Sequence, residues 1–422
     1  MIGILHRTFQ PLQLTKPFAR YKTARGSTCA LLTVVLLGLS GCAGIPVNGT
    51  IAGQAIETRV DSEVARYYLA NYLSGKHTDP LLDERIDRVY EQAKGNLPGR
   101  DDLKKLSDDF SVDFAALYLA DQISRVPANA WFDTAFRQAF EYTLEVFPQA
   151  QMKVSGAADY DVLFVPTYLY KRFASFTGAD MAAPRKALQK VGFTCHFVET
   201  IDDGPVELNA EIVMAAIGAR ATSGRRLIVV SASKSGAEVA LALTKLGPAN
   251  TRHVAAWINA VGALQGTPTV DDRLLPDFEF LTGKIDPAGT ESMAMGRSRQ
   301  RFASFNIPRS VLVVNYFGIP TTGNISFFGR KVYSALRKYG PNDGVLLLGD
   351  MILPGGMTLA RVGADHMHMN EHVDIATIAL AMTTIEWLKY HDRISPADND
   401  APGNPAKSAE TDDDVGKATG SP

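Results

Sequence analysis

Between residues 160 and 390 the chain alternates short β-rich runs with longer helical stretches, and this alternation restricts the possible folds more than any other feature. Runs rich in Val, Ile, Leu, Phe and Thr occur at 161–165, 194–200, 227–230, 254–258, 311–316 and 358–362. Helical stretches lie between several of them, at 181–191, 206–221, 237–246 and 327–339, and a last one at 374–390 closes the series. Strands separated by helices pair in parallel, with the helices covering both faces of the sheet. The expected class is α/β with a mostly parallel sheet, whose ligands bind beyond the carboxyl ends of the strands.

The 422 residues exceed what one compact core usually holds, so a large domain with an appendage is expected. The appendage precedes the sheet. Over 61–150 the pattern is helical, with Val64, Tyr67, Tyr68 and Tyr72 on one face and Ile86, Val89 and Tyr90 on another. Breaks fall at Gly75, at Leu97 to Gly99 and at Val126 and Pro127, and no chemical motif lies within. Residues 42–60 are Gly/Thr-rich without apolar periodicity and read as a tether, the sheet domain spans 151–394, and the polar tail 395–422 reads as disordered.

Residues 1–41 read as an address rather than as fold. His6, Arg7, Lys16, Arg20, Lys22 and Arg25 precede an apolar run at 29–39, which is too short to span a bilayer. The run ends in Leu39, Ser40, Gly41 and Cys42. That tetrapeptide resembles the lipobox of bacterial lipoproteins. The resemblance implies cleavage before Cys42 and acylation of that residue, with palmitate among the acyl groups. Several chains on one residue anchor firmly where one is marginal. Ala43, a non-acidic neighbour, implies the outer membrane of the bacterial envelope. The plainer alternative is a secretory signal cut after a small residue.

With a net charge of −2 and no basic face, nucleic acid is not an expected partner. The three cysteines, Cys29, Cys42 and Cys195, are too few and scattered for a disulfide framework or a cysteine zinc site. Cys195 reads as a small buried apolar residue.

The most informative stretch is the apolar run from Leu227 to Val230 that enters a turn of Ser231, Ala232, Ser233, Lys234, Ser235 and Gly236 before a helix. A nucleophilic serine needs this geometry, because a tight strand–turn–helix lifts its oxygen above the sheet and turns a helix N-terminus toward developing negative charge. Strand and helix pass closely there, so small residues must flank the nucleophile. Ser231 and Ser235 stand where glycines are usual, and Ser235 competes with Ser233 for the role. A serine-rich phosphate turn or an inert strand end is the bland alternative. Upstream, the strand 161–165 runs into Pro166, Thr167 and Tyr168. A loop there offers a second oxyanion donor, making the backbone amides of Tyr168 and Lys234 the candidates.

A general base follows the last strand: His366, with His368 and His372 nearby. The three histidines could serve zinc by spacing, but no acidic ligand pattern accompanies them. A carboxylate to orient the imidazole is offered by Asp343 in an Asn-Asp-Gly turn, with Asp350 as the alternative.

From about Asp161 to Tyr390 the chain resembles the α/β-hydrolase superfamily, and within it is similar to bacterial triacylglycerol lipases. Asp203 to Pro205, the elbow 233–236, Gly262 to Pro268, Asn315 to Gly318, Asn342 to Gly344, and Asp365 with His366 carry the likeness. It implies Ser233 as nucleophile, Asp343 as acid and His366 as base. Pro166 and Thr167 replace that family's His-Gly, and His368 replaces its calcium carboxylate, so no calcium site is expected. Residues 43–150 have no counterpart. The expectation is a membrane-anchored, cofactor-free serine hydrolase of carboxylic esters acting through an acyl-enzyme, with residues 273–310 as a lid over the site. The rivals are a non-catalytic binding or scaffolding lipoprotein on the same fold, and an amidase or thioesterase.

Overall fold

The computed structural model describes residues 44–147, 152–274, 285–327, 329–368 and 372–394. The expected signal peptide 1–41, Cys42 and the tail 395–422 lie outside them.

The described chain opens with a hairpin, which corrects the expectation of a tether over 42–60. Strands β1 (Ile45–Ile51) and β2 (Gln54–Val60) pair antiparallel, with Ile45 opposite Val60 and Ile51 opposite Gln54. Ala52 and Gly53 connect them at φ 52° and 76°, the doubly left-handed turn whose twist matches that of the strands. Val47, Ile51, Ile56, Thr58 and Val60 are buried, the alternation of a half-buried strand pair.

Helices then follow, α1 (Glu63–Ala70), α2 (Pro80–Ala93), α3 (Arg100–Asp109), α4 (Val112–Arg125) and α5 (Pro127–Val146), separated at the three expected breaks and at an unexpected one at Phe110 and Ser111. Ser62, Asp79 and Ser111 each accept a hydrogen bond from a first-turn amide, and Pro80 and Pro127 stand where a helix needs no donor.

The rest runs β3 (Tyr160–Val165), α6 (Tyr170–Thr177), α7 (Ala182–Lys190), β4 (Thr194–Phe197), α8 (Val206–Gly218), β5 (Arg226–Ala232), α9 (Lys234–Asn250), β6 (Val254–Ala260), α10 (Pro268–Asp271), α11 (Pro287–Glu291), α12 (Met295–Phe302), β7 (Leu312–Ile319), α13 (Arg330–Leu336), β8 (Met357–Val362) and α14 (Val373–Ile394). Every strand expected from sequence is present. All pair in parallel in the order β4-β3-β5-β6-β7-β8. Side chains alternate across the sheet. Val162, Phe164, Ile228, Val230 and Tyr316 pack toward α5, α7 and α14. Leu163, Val165, Val229 and Trp257 pack on the other face, with α8 and α9. This is the α/β-hydrolase fold, a mostly parallel sheet with helices on both faces.

The expected boundary at 150/151 does not separate independent bodies. Phe132 and Phe136 of α5 belong to the core on the α14 face of the sheet. The hairpin and α4 share a second core with Phe317, Ile319, Leu346 and Leu348. Arg337 Nη2 reaches Asp61 Oδ2 at 2.7 Å across the same divide. The described residues fall within one compact unit beginning at Gly44.

Candidate active site

The crossovers after β3 and β5 leave the sheet in opposite directions, because β4 and β6 lie on opposite sides of that strand pair. Their divergence opens a crevice at the carboxyl ends of β3 and β5. The loops at 166–169 and 233–236 border it.

Ser233 stands alone between β5 and α9, with φ 52° and ψ −123°. A non-glycine residue held there stores strain, about 1–3 kcal/mol. The surroundings impose it: the Ser233 amide donates to the Ala260 carbonyl at 3.0 Å, and the Ser233 carbonyl accepts from the amides of Gly236 at 3.0 Å and Ala263 at 2.9 Å. Helix α9 starts so close to the loop after β6 that a β-carbon at Gly236 would lie 2.8 Å from Gly262 Cα. The two serines in the glycine positions are structural. Ser231 Oγ accepts from Trp257 Nε1 at 2.8 Å. Ser235 Oγ lies 2.9 Å from the carbonyls of Val165 and Ala232 and accepts the Ala232 amide. At 0% exposure Ser235 offers substrate no approach, whereas Ser233 is partly exposed.

His366 and Asp343 meet. Nδ1–H of His366 donates to Asp343 Oδ2 at 2.7 Å, and the His366 amide donates to the Asp343 carbonyl at 2.9 Å. The other carboxylate oxygen accepts from the amides of Val345 at 2.9 Å and Leu346 at 2.7 Å, which fixes the acid in its turn. Thr269 Oγ1 donates to the Val345 carbonyl at 2.9 Å, so the loop after β6 braces that turn. Burial disfavours the charged imidazole, but the Asp343 charge and hydrogen bond more than offset it, and the His366 pKa is raised. With Nδ1 protonated, Nε2 is left as the basic nitrogen. His366 follows β8 and Ser233 follows β5, so both stand at the carboxyl end of one parallel sheet. His366 also lines a cavity of about 300 Å³ together with Ala232 and Ala260; Ala232 precedes Ser233, and the Ala260 carbonyl binds the Ser233 amide.

Asp350, the alternative acid, is committed elsewhere. Arg100 of α3 grips its carboxylate, Nε lying 2.8 Å and 3.0 Å from the two oxygens. Burial pushes the Asp350 carboxyl up to about 6 against the pull of Arg100. His368 stacks on Tyr316 at 5.3 Å between ring centroids. Among the described residues no group of three or more candidate metal ligands gathers.

In the loop after β3 the amides on either side of Tyr168 are spent: Thr167 on the Ala179 carbonyl at 3.2 Å, Leu169 on the Asp202 carbonyl at 2.9 Å. The Tyr168 amide lies between them, and its hydroxyl meets Thr290 Oγ1 at 2.7 Å. That contact brings the described stretch of 273–310 against the loop. The Lys234 amide begins α9. Its side chain was not anticipated from sequence. It is 1% exposed, forms an ion pair with Glu238, and its ammonium sits 6.0 Å from the Tyr168 ring centre. Asn209 Nδ2 also donates to that carboxylate at 2.9 Å. The i,i+4 spacing of Lys234 and Glu238 was the available signal. Cys195, on β4, is partly buried, and burial pushes its thiol up to about 12, far from nucleophilic. Among the described residues no helix is long and apolar enough to cross a membrane.

Sheet and elbow thus define an α/β-hydrolase fold with Ser233 in the turn between β5 and α9. No family model matches the sequence, and no curated protein matches it. Among solved structures the chain is similar to the metagenomic carboxyl esterase MGS0156, with a TM-score of 0.47 and 19% identity over 57% of this chain and 78% of that one. It is similar to the mature lipase BlEst2 of Bacillus licheniformis, with a TM-score of 0.38 and 20% identity over 55% and 91% of the two chains. It is also similar to the phospholipase PlaB of Legionella pneumophila, with a TM-score of 0.33 and 16% identity over 46% and 45%.

Proposed function

We propose that this protein is a serine hydrolase of carboxylic esters, held at the bacterial envelope by acyl chains on Cys42. The observation that supports the catalytic reading most is the 2.7 Å His366–Asp343 hydrogen bond at the sheet end where Ser233 is held in a strained elbow. In the proposed reaction Ser233 Oγ attacks the ester carbonyl carbon while His366 Nε2 takes the hydroxyl proton, and Asp343 stabilises the imidazolium. The amides of Tyr168 and Lys234 donate to the tetrahedral oxyanion. Its collapse breaks the bond to the alkoxy oxygen, which leaves with the proton from His366. Water, deprotonated by the same nitrogen, then attacks the acyl-enzyme, releasing the carboxylic acid and Ser233. The anchor reading is supported by the Leu39 to Cys42 tetrapeptide at the end of an apolar run.

Fluorophosphonate labelling of fractionated cells tests the chemistry and the anchor together. An activated serine reacts, whereas an ordinary one is a weak nucleophile. Wild type should label in the membrane fraction, Ser233→Ala and His366→Ala should not label, and Cys42→Ser should carry its label to the soluble fraction. Absence of labelling in folded wild type would favour a non-catalytic binding protein. Labelling that stays in the membrane fraction for Cys42→Ser would remove the anchor.

A further inference from the structure

The cavity that His366 lines does not stop at the sheet edge. It runs along one face of the sheet, from Ala232 and Ala260 at the strand ends down to Ile228 and Val162. Ile228 lies four residues before Ala232 on β5, so at about 3.3 Å per residue the depth is on the order of 13 Å. Helices α7 and α14 form the far wall, contributing Ala183, Leu188, Ala376 and Leu380. Core positions between a sheet and its helices ordinarily carry large side chains that close such a space; here the buried Ala376 and Ala381 leave it open. His366 and His368 line it at the carboxyl end of the sheet, after β8, and none of the described lining residues is Asp, Glu, Lys or Arg.

We infer that this cavity receives the acyl chain of the substrate, so that the preferred esters are those of medium-chain fatty acids. The inference rests on the serine-hydrolase reading, and it adds where the chain lies and how long it is. Ala232, the residue before Ser233, and His366 both line the cavity, so a chain leaving an ester carbonyl at Ser233 has this space next to it, and a straight hydrocarbon is the occupant whose shape and polarity match an apolar slot along parallel strands. At about 30 Å³ per methylene, close to the volume of a water, 300 Å³ admits on the order of ten methylenes. Each one buried raises kcat/KM about fourfold, equivalent to ~0.8 kcal/mol, until the cavity is full.

The test is the hydrolysis of p-nitrophenyl esters from acetate to palmitate by wild type, Ala376→Phe and Ala183→Leu, with folding checked by circular dichroism and Tm. Wild-type kcat/KM should climb to an optimum near decanoate or dodecanoate and fall beyond it. Either variant should lose decanoate turnover at least tenfold more than acetate turnover. A second arm needs no turnover: decanoate should raise the Tm of wild type and not that of Ala376→Phe. Acetate hydrolysis with a flat chain-length profile, or a profile the two folded variants leave unmoved, would overturn the inference and leave the hydrolase reading standing. No hydrolysis of any ester, with decanoate still raising the wild-type Tm, would sink the hydrolase reading and keep the cavity as an acyl site.

Discussion

Burial works against a charged His366 and the Asp343 carboxylate works for it, and the carboxylate prevails. In the proposed reaction only the neutral ring can take the proton from Ser233, so kcat/KM should rise with pH through a pKa above the ordinary imidazole value of about 6.5. Asp343→Asn removes the anion that raises it. The acid limb should then move to lower pH, and turnover should fall roughly 10³-fold or more, because an amide favours the wrong tautomer. Asp350→Asn should leave the limb in place and lower Tm, since it strands the largely buried Arg100 guanidinium without its partner, a loss of about 3 kcal/mol. A pH–rate profile that moved with Asp350→Asn and not with Asp343→Asn would reverse the assignment. The sequence left both acids and both serines open. Local spacing does not show which aspartate an arginine from a distant helix will claim, nor that Ser235 turns inward.

Among the elements, the elbow depends on close approach and not on its serine alone. A side chain at Gly236 meets Asn259 Oδ1 at 2.6 Å and backbone at Gly262, so Gly236→Val should cost about 1–3 kcal/mol by overpacking and reduce turnover by re-aiming Ser233. Gly218→Ala is the control, since a β-carbon there has nothing within 4 Å and alanine is the better helix former. Equal Tm values for the two variants would contradict the packing described. The strands were legible because a strand covered on both faces must be an unbroken apolar run. The hairpin was not. Its turn is Ala52-Gly53 rather than an asparagine-glycine pair. Gly49 interrupts its alternation because the chain passes under α1, where a β-carbon would lie 2.3 Å from the Leu69 carbonyl oxygen.

In the whole molecule, the N-terminal helices and the sheet form one body. Phe317, Ile319, Leu346 and Leu348 are covered by residues of the hairpin and α4, and Phe132 and Phe136 fill the core beside α14. A chain beginning at residue 152 would uncover both surfaces. It should fail to fold as a soluble monomer, read as aggregation on size-exclusion chromatography and loss of a cooperative thermal transition. A truncated chain that is monomeric, melts cooperatively and keeps ester turnover would restore the sheet as an independent domain. The sequence suggested such independence because the helical stretch carries no chemical motif and its amphipathic faces do not name their partner.

By itself, the order of residues determined the α/β class, the position of every strand of the parallel sheet and the Ser, Asp, His order at the carboxyl ends of the sheet. These are properties of local pattern, since burial on two faces and a strand–turn–helix are written in consecutive residues. Tertiary structure alone decided that Asp343 and not Asp350 meets His366, that Ser235 is locked in the core, that 45–60 is a hairpin, and that an apolar cavity opens beside the histidine. Each depends on which distant segments come together, and small residues such as Ala376 and Ala381 mean space only when the walls around them are in place.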